Sequence, residues 1–69
     1  MKLDVYGRFH LEVLRENDSW VAYRLAPGTR MPDSTLIIPP SLAPEEVPTY
    51  IDDLYHELAG PGQIVRVIP

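Results

Sequence analysis

From Leu3 to Val13 the odd positions read Leu3, Val5, Gly7, Phe9, Leu11 and Val13, while Asp4, Tyr6, Arg8, His10 and Glu12 fill the even ones. This alternation predicts a single extended strand with its odd face buried and a bend or bulge at Gly7. The polar cluster Glu16-Asn17-Asp18-Ser19 separates it from Trp20-Val21-Ala22-Tyr23-Arg24-Leu25, which predicts a hairpin. A loop of odd length centred on Asp18 would set Leu11 opposite Leu25 and Val13 opposite Tyr23 on the core side, with Glu12 opposite Arg24 on the other.

Pro27-Gly28 opens a turn, and Thr29 to Ser34, with Pro32 and Asp33 inside it, reads as a surface loop. Thr35 to Ile38 reads as a short third strand that Pro39-Pro40 ends. From Ser41 to Ala59 the period becomes helical: Glu45, Glu46, Thr49, Asp52, Asp53, His56 and Glu57 share one arc, and Val47, Tyr50, Ile51, Leu54, Tyr55, Leu58 and Ala59 fill the rest. Pro44, Glu45 and Glu46 suit a first turn, Gly60-Pro61 is a stop signal, and Pro48 predicts that regular helix starts only there. Gln63 to Ile68 is the last strand.

The element order is therefore β-β-β-α-β. It predicts an α+β fold, a small and mainly antiparallel sheet of three to four strands with one amphipathic helix packed on one face, as a single domain over residues 1–69. A helix between the last two strands also allows a right-handed crossover that sets the final strand parallel to a neighbour. With a single helix available, the second sheet face stays open or takes a partner.

Composition narrows the chemistry. A hydrophobic share of 45% against 23% charged residues is that of a globular domain rather than a disordered tail. The absence of cysteine excludes disulfides, cysteine-based metal sites and thiol nucleophiles. No apolar run approaches the ~20 residues of a membrane span, and Met1-Lys2-Leu3-Asp4 does not start a signal peptide, so a cytoplasmic location is expected. The net charge of −4 is uneven: residues 1–33 hold five acidic and five basic side chains, whereas residues 34–69 hold five acids and Arg66 alone. The acidity belongs to the helix, and it serves solubility or docks on a basic partner.

Candidate sites follow from these placements. Asp52, Asp53 and His56, with Glu57 beside them, share one helical face at spacings that suit a divalent metal, but a structural zinc site needs further convergent ligands. A solvated acidic face is the more economical reading, and no cofactor is expected. Ser19, Ser34 and Ser41 lie in turns without a nucleophile elbow, and no glycine-rich phosphate loop exists, so the chain is not expected to be an enzyme. The even face of the sheet offers Tyr6, Arg8, His10, Trp20 and Arg66 as partner-binding residues. Tryptophan, tyrosine and arginine dominate binding hot spots, and the expected function is a small protein-interaction module, with self-association into a homodimer as one form of it. A single-stranded nucleic-acid-binding module on the same face is the alternative, weakened by acidic overall charge.

Asp4-Val5-Tyr6-Gly7-Arg8, Trp20-Val21-Ala22-Tyr23, Ile38-Pro39 and Asp53-Leu54-Tyr55-His56-Glu57 together resemble a family of short bacterial proteins. That resemblance spans nearly the whole chain and implies no activity, because the family has no assigned function. The order of three strands, a helix and a strand is also similar in topology to HicB-like antitoxin domains, which implies binding to a small toxin and dimerisation. Pro39-Pro40-Ser41 does not match the glycine-and-threonine turn of those domains.

Overall fold

The structure, a computed structural model, describes residues 1–69. Five strands, β1 (Lys2–Val5), β2 (Phe9–Glu16), β3 (Ser19–Ala26), β4 (Thr29–Pro32) and β5 (Val65–Ile68), form one sheet in the order β4-β3-β2-β1-β5, every neighbouring pair antiparallel. One helix, α1 (Val47–Tyr55), is flanked by 3₁₀ turns at Pro44–Glu46 and His56–Leu58. The class is α+β. The sheet has one strand more than the sequence predicts, and the last strand runs antiparallel to β1 rather than parallel to a neighbour. With four strands ahead of the helix, the three-strand order behind the HicB-like likeness is not the order of this chain.

Three local features account for the differences. The stretch Leu3–Val13 is not one bent strand but two, joined by Tyr6-Gly7-Arg8, with Val5 opposite Phe9 and Leu3 opposite Leu11. Tyr6 and Gly7 both adopt left-handed backbone, at φ +58° and +70°, and the Arg8 amide closes the turn on the Val5 carbonyl at 2.9 Å. An odd number of loop residues keeps odd positions opposite odd ones, so the alternation passes through the turn undisturbed.

The second hairpin has an even loop, Asn17-Asp18, with both residues left-handed at φ +50° and +62°, as a type I′ turn requires. Glu16 therefore faces Ser19, Leu11 faces Arg24, Val13 faces Ala22 and Glu12 faces Tyr23. This one-residue shift turns all of β3 over relative to the expected register. Asp18→Gly is expected to stabilise the protein by up to about 1 kcal/mol, because glycine removes the left-handed strain at little cost. A rise in the urea midpoint at unchanged slope is the readout.

Thr29–Pro32, read as a loop, is an edge strand. Pro32 is tolerated because the strand's inward amides belong to Thr29 and Met31, leaving the proline nitrogen on the outer edge. Thr35–Ile38, read as a strand, pairs with no other strand: Thr35 belongs to a turn and Leu36–Ile38 form no regular element. Leu36 and Ile38 still alternate inward while Ile37 points out.

The core sits between the helix and one sheet face. Leu3 and Val5 from β1, Leu11 and Val13 from β2, and Ala22 from β3 meet Val47 and Ile51 from α1 and Leu36 and Ile38 from the connecting segment. Regular helix begins at Val47, beside Pro48, as the proline demands, and Glu46 supports the preceding turn by accepting the Ala43 amide at 2.9 Å. No helix is long and apolar enough to cross a membrane.

Candidate functional site

The cross-strand register fixes which side chains share the sheet face opposite the helix. One row across the strands reads Arg66, Asp4, His10, Leu25 and Arg30, and the next reads Ile68, Lys2, Glu12, Tyr23 and Pro32. Leu14 and Val21 close the face at the Asn17-Asp18 end. No element covers this surface.

Polar contacts organise it. The Asp4 side chain is only 7% exposed although it stands on the uncovered face, because Arg66 and His10 close over it from the two adjacent strands. Its carboxylate accepts from Arg66 Nη2 at 2.8 Å and from the Gly7 amide at 3.1 Å, with His10 Nε2 at 3.5 Å. The Arg66 bond, aided by the Gly7 amide and outweighing burial, holds the Asp4 carboxyl below its ordinary 3.8. A depressed folded-state value makes this contribution complete above pH 3.8, and it is lost as pH falls through the folded-state value. Acid titration of stability should therefore be steeper for the wild type than for Asp4→Asn in that range, as followed by circular dichroism.

A second linkage crosses the other half of the face. Arg30 bonds Glu12 Oε1 at 2.7 Å and stacks on the Tyr23 ring at 4.4 Å from its centroid, and the Tyr23 hydroxyl donates to Glu16 at 3.3 Å. Two guanidinium groups, Arg66 and Arg30, are thus held at opposite sides of the sheet by carboxylates, while Lys2 and the 52%-exposed His10 lie between them. The surface presents fixed donors over half-buried Leu14, Val21, Leu25 and Ile68.

The expected partner-binding set divides across the two faces. His10 and Arg66 lie on the uncovered face, and Arg8 is an exposed residue of the β1–β2 turn. Tyr6 and Trp20 do not lie on that face, which corrects their placement: Tyr6 is buried against the helix, its hydroxyl donating to the Asp52 carboxylate with the Asp52 carbonyl at 3.1 Å. Trp20 packs on the core, donates from Nε1 to the Leu42 carbonyl at 3.0 Å and lies under Arg15. Arg24, expected to pair with Glu12, stacks instead on Phe9 at 3.8 Å on the helix side. Its place beside Glu12 is taken by Tyr23, and Arg30 supplies the charge. The turned-over β3 strand is the common cause of the Trp20 and Arg24 displacements.

The aromatic pair meant for base stacking is therefore not on this face, and Tyr23 is covered by Arg30. On the helix, Asp52 is occupied by Tyr6, so it does not share a solvated face with Asp53, His56 and Glu57, which are exposed. No three histidine, aspartate or glutamate side chains are grouped to hold a metal ion. Sequence reasoning missed Asp4, Tyr23 and Arg30. The signals for them were the acid on the even face at Asp4, in line with His10 and Arg66, and the type I′ propensity of Asn17-Asp18, which brings Tyr23 to this face.

The chain belongs to the family DUF7661, a domain of unknown function, which it matches over residues 1–68. No curated protein and no solved structure matches it.

Proposed function

We propose that this member of a family without an assigned activity is a non-enzymatic interaction module, and that it binds another protein through the uncovered sheet face. The observation that carries the reading is the face itself: an entire side of a five-stranded sheet left bare, with Arg30 and Arg66 already held by carboxylates. Arginine and tyrosine are the residue types that concentrate binding energy, and guanidinium groups fixed before contact lose less rotamer freedom on binding. The aliphatic floor of Leu14, Val21 and Leu25 supplies apolar area between them.

Affinity capture from the native cell tests it, with paired variants on opposite faces. Leu25→Glu places a charge in the centre of the uncovered face, and Asp53→Lys alters the exposed helix. Proteins retained by the wild type should be lost with Leu25→Glu and kept with Asp53→Lys. The reverse pattern, or equal retention by both variants, refutes the use of this face.

A further inference from the structure

The uncovered face is uneven in charge along its strands. The row Arg66, Asp4, His10, Leu25 and Arg30 lies next to the β1–β2 and β3–β4 turns and spans all five strands, about 19 Å at ~4.8 Å per strand. Its basic side chains stand out, Arg66 at 62%, His10 at 52% and Arg30 at 49% exposed, while Asp4 lies beneath them at 7%. In the next row Lys2 is exposed, whereas Glu12, held by Arg30, is only 20% exposed. The exposed acid of this face, Glu16, stands four residues beyond Glu12 on β2, about 13 Å further along.

The exposed cations also have donors to spare. Each guanidinium commits one nitrogen to its carboxylate, Nη2 of Arg66 to Asp4 and Nη1 of Arg30 to Glu12, and keeps other N–H groups of its five. The Lys2 ammonium has no carboxylate within ion-pair distance. Lys2, Glu12, Leu25, Thr29 and Arg30 line a shallow hollow of about 500 Å³, where a carboxylate can meet two cations beside an aliphatic side chain. The acids behind the net charge of −4 stand on the other side of the molecule: Glu45, Glu46, Asp53 and Glu57, all exposed, belong to the helix and its flanking turns.

We propose that the occupant of the uncovered face is an acidic segment of another protein, laid across the strands with its carboxylates on Arg66, Arg30 and Lys2. This rests on the reading of that face as a binding surface and adds the chemistry of what it binds. Cations raised above their own carboxylates complement such a segment, steering and orienting it as it docks. At ~0.15 M salt the screening length is about 8 Å, so the acids beyond the helix weigh little against contacts made in the band. Nucleic acid fits the same cations less well, because Tyr23 lies under Arg30, no other ring of this band is free for base stacking, and the chain as a whole is acidic.

Amide shifts of the isotope-labelled protein, followed by NMR through titration with octaglutamate, octalysine and octauridylate, test this. Octaglutamate, long enough when extended at ~3.3 Å per residue to span the row, should move the His10, Leu25 and Arg66 amides with a dissociation constant of about 1 mM or tighter. Raising salt from about 0.05 to 0.3 M should weaken it by about fivefold or more. Lys2→Glu, which breaks no ion pair, should weaken it by about fivefold with an unchanged circular dichroism spectrum, and Asp53→Lys should not weaken it. Octalysine should leave these amides unmoved. Absence of a saturable shift with octaglutamate, or equal effects of Lys2→Glu and Asp53→Lys, overturns the proposal. Tighter binding of octauridylate overturns it by assigning the band to nucleic acid. A shift of the same amides on concentrating the protein alone, removed by Asp53→Lys, overturns it by making the occupant the helix of a second copy. A captured protein that Leu25→Glu loses but Lys2→Glu keeps at about 0.3 M salt overturns the acidic occupant and leaves the binding face standing, whereas failure of the face shows as a protein that Leu25→Glu retains.

Discussion

Ile51→Ala is expected to remove most of the protein's stability. Ile51 is fully buried in the middle of α1, and the core it belongs to has only ten buried residues. Truncating a buried isoleucine costs about 2–5 kcal/mol, part transfer free energy and part cavity. A chain of this length has about 3–10 kcal/mol in all. The loss is therefore comparable with the whole, and the urea midpoint should fall to a small fraction of its wild-type value or the variant should be unfolded without denaturant. Leu54→Ala, on the same helix but half exposed, should cost about 1 kcal/mol or less. Equal losses from the two substitutions would mean that α1 does not dock through Ile51.

The second large effect is expected at Tyr6. Its ring is buried, its hydroxyl ties the β1–β2 turn to Asp52 on the helix, and its backbone is in the left-handed region that a bulky residue rarely enters. Tyr6→Ala should cost about 3–5 kcal/mol, and Tyr6→Phe, which removes only the hydroxyl, about 1 kcal/mol. The difference between them measures the packing of the ring. Alkaline titration isolates the hydroxyl. Burial, reinforced by the Asp52 bond, pushes the Tyr6 phenol up to about 12 from 10.0. Since the folded-state value is raised, the contribution is complete below pH 10.0 and lost as pH rises toward 12. Tyr6→Phe should abolish that part of the alkaline unfolding, whereas Tyr23→Phe should not.

The elements that were legible in the sequence are those whose side chains match a binary pattern. Val47 and Ile51 lie on the apolar arc of the helix, and Leu3, Val5, Leu11 and Val13 on the odd face of the first stretch, and all are buried as that pattern requires. The face of β3 was not legible, because its inward positions include Trp20 and Arg24. Both are amphipathic: the Trp20 ring packs on the core while its N–H reaches Leu42, and the Arg24 guanidinium lies flat on Phe9. Their outward neighbours Val21, Tyr23 and Leu25 look more apolar than they do. The pattern alone therefore assigned the faces in reverse, and only the turn chemistry of Asn17-Asp18 distinguishes the two registers.

The candidate face was legible in part for the same reason. His10 and Arg66 follow from parity in β1, β2 and β5, whose register hinges on no ambiguous turn. Tyr23 and Arg30 depend on β3 and β4, one behind the turned register and the other hidden by Pro32. Tyr6 escapes parity altogether, since a left-handed residue in a turn directs its side chain off the alternating pattern.

The order of strands also has a kinetic consequence. β1 to β4 form a meander joined by turns of two or three residues, so each pairing closes a short loop. The β1–β5 ladder instead joins positions as far apart as Lys2 and Ile68. Closing that long loop costs more chain entropy, and its contacts are repaid only after the meander exists. β5 should therefore dock on the native side of the rate-limiting barrier. Substitutions at Val65 or Arg66 should steepen escape from the folded state while leaving the refolding rate nearly unchanged, and changes in the β2–β3 hairpin should slow refolding itself.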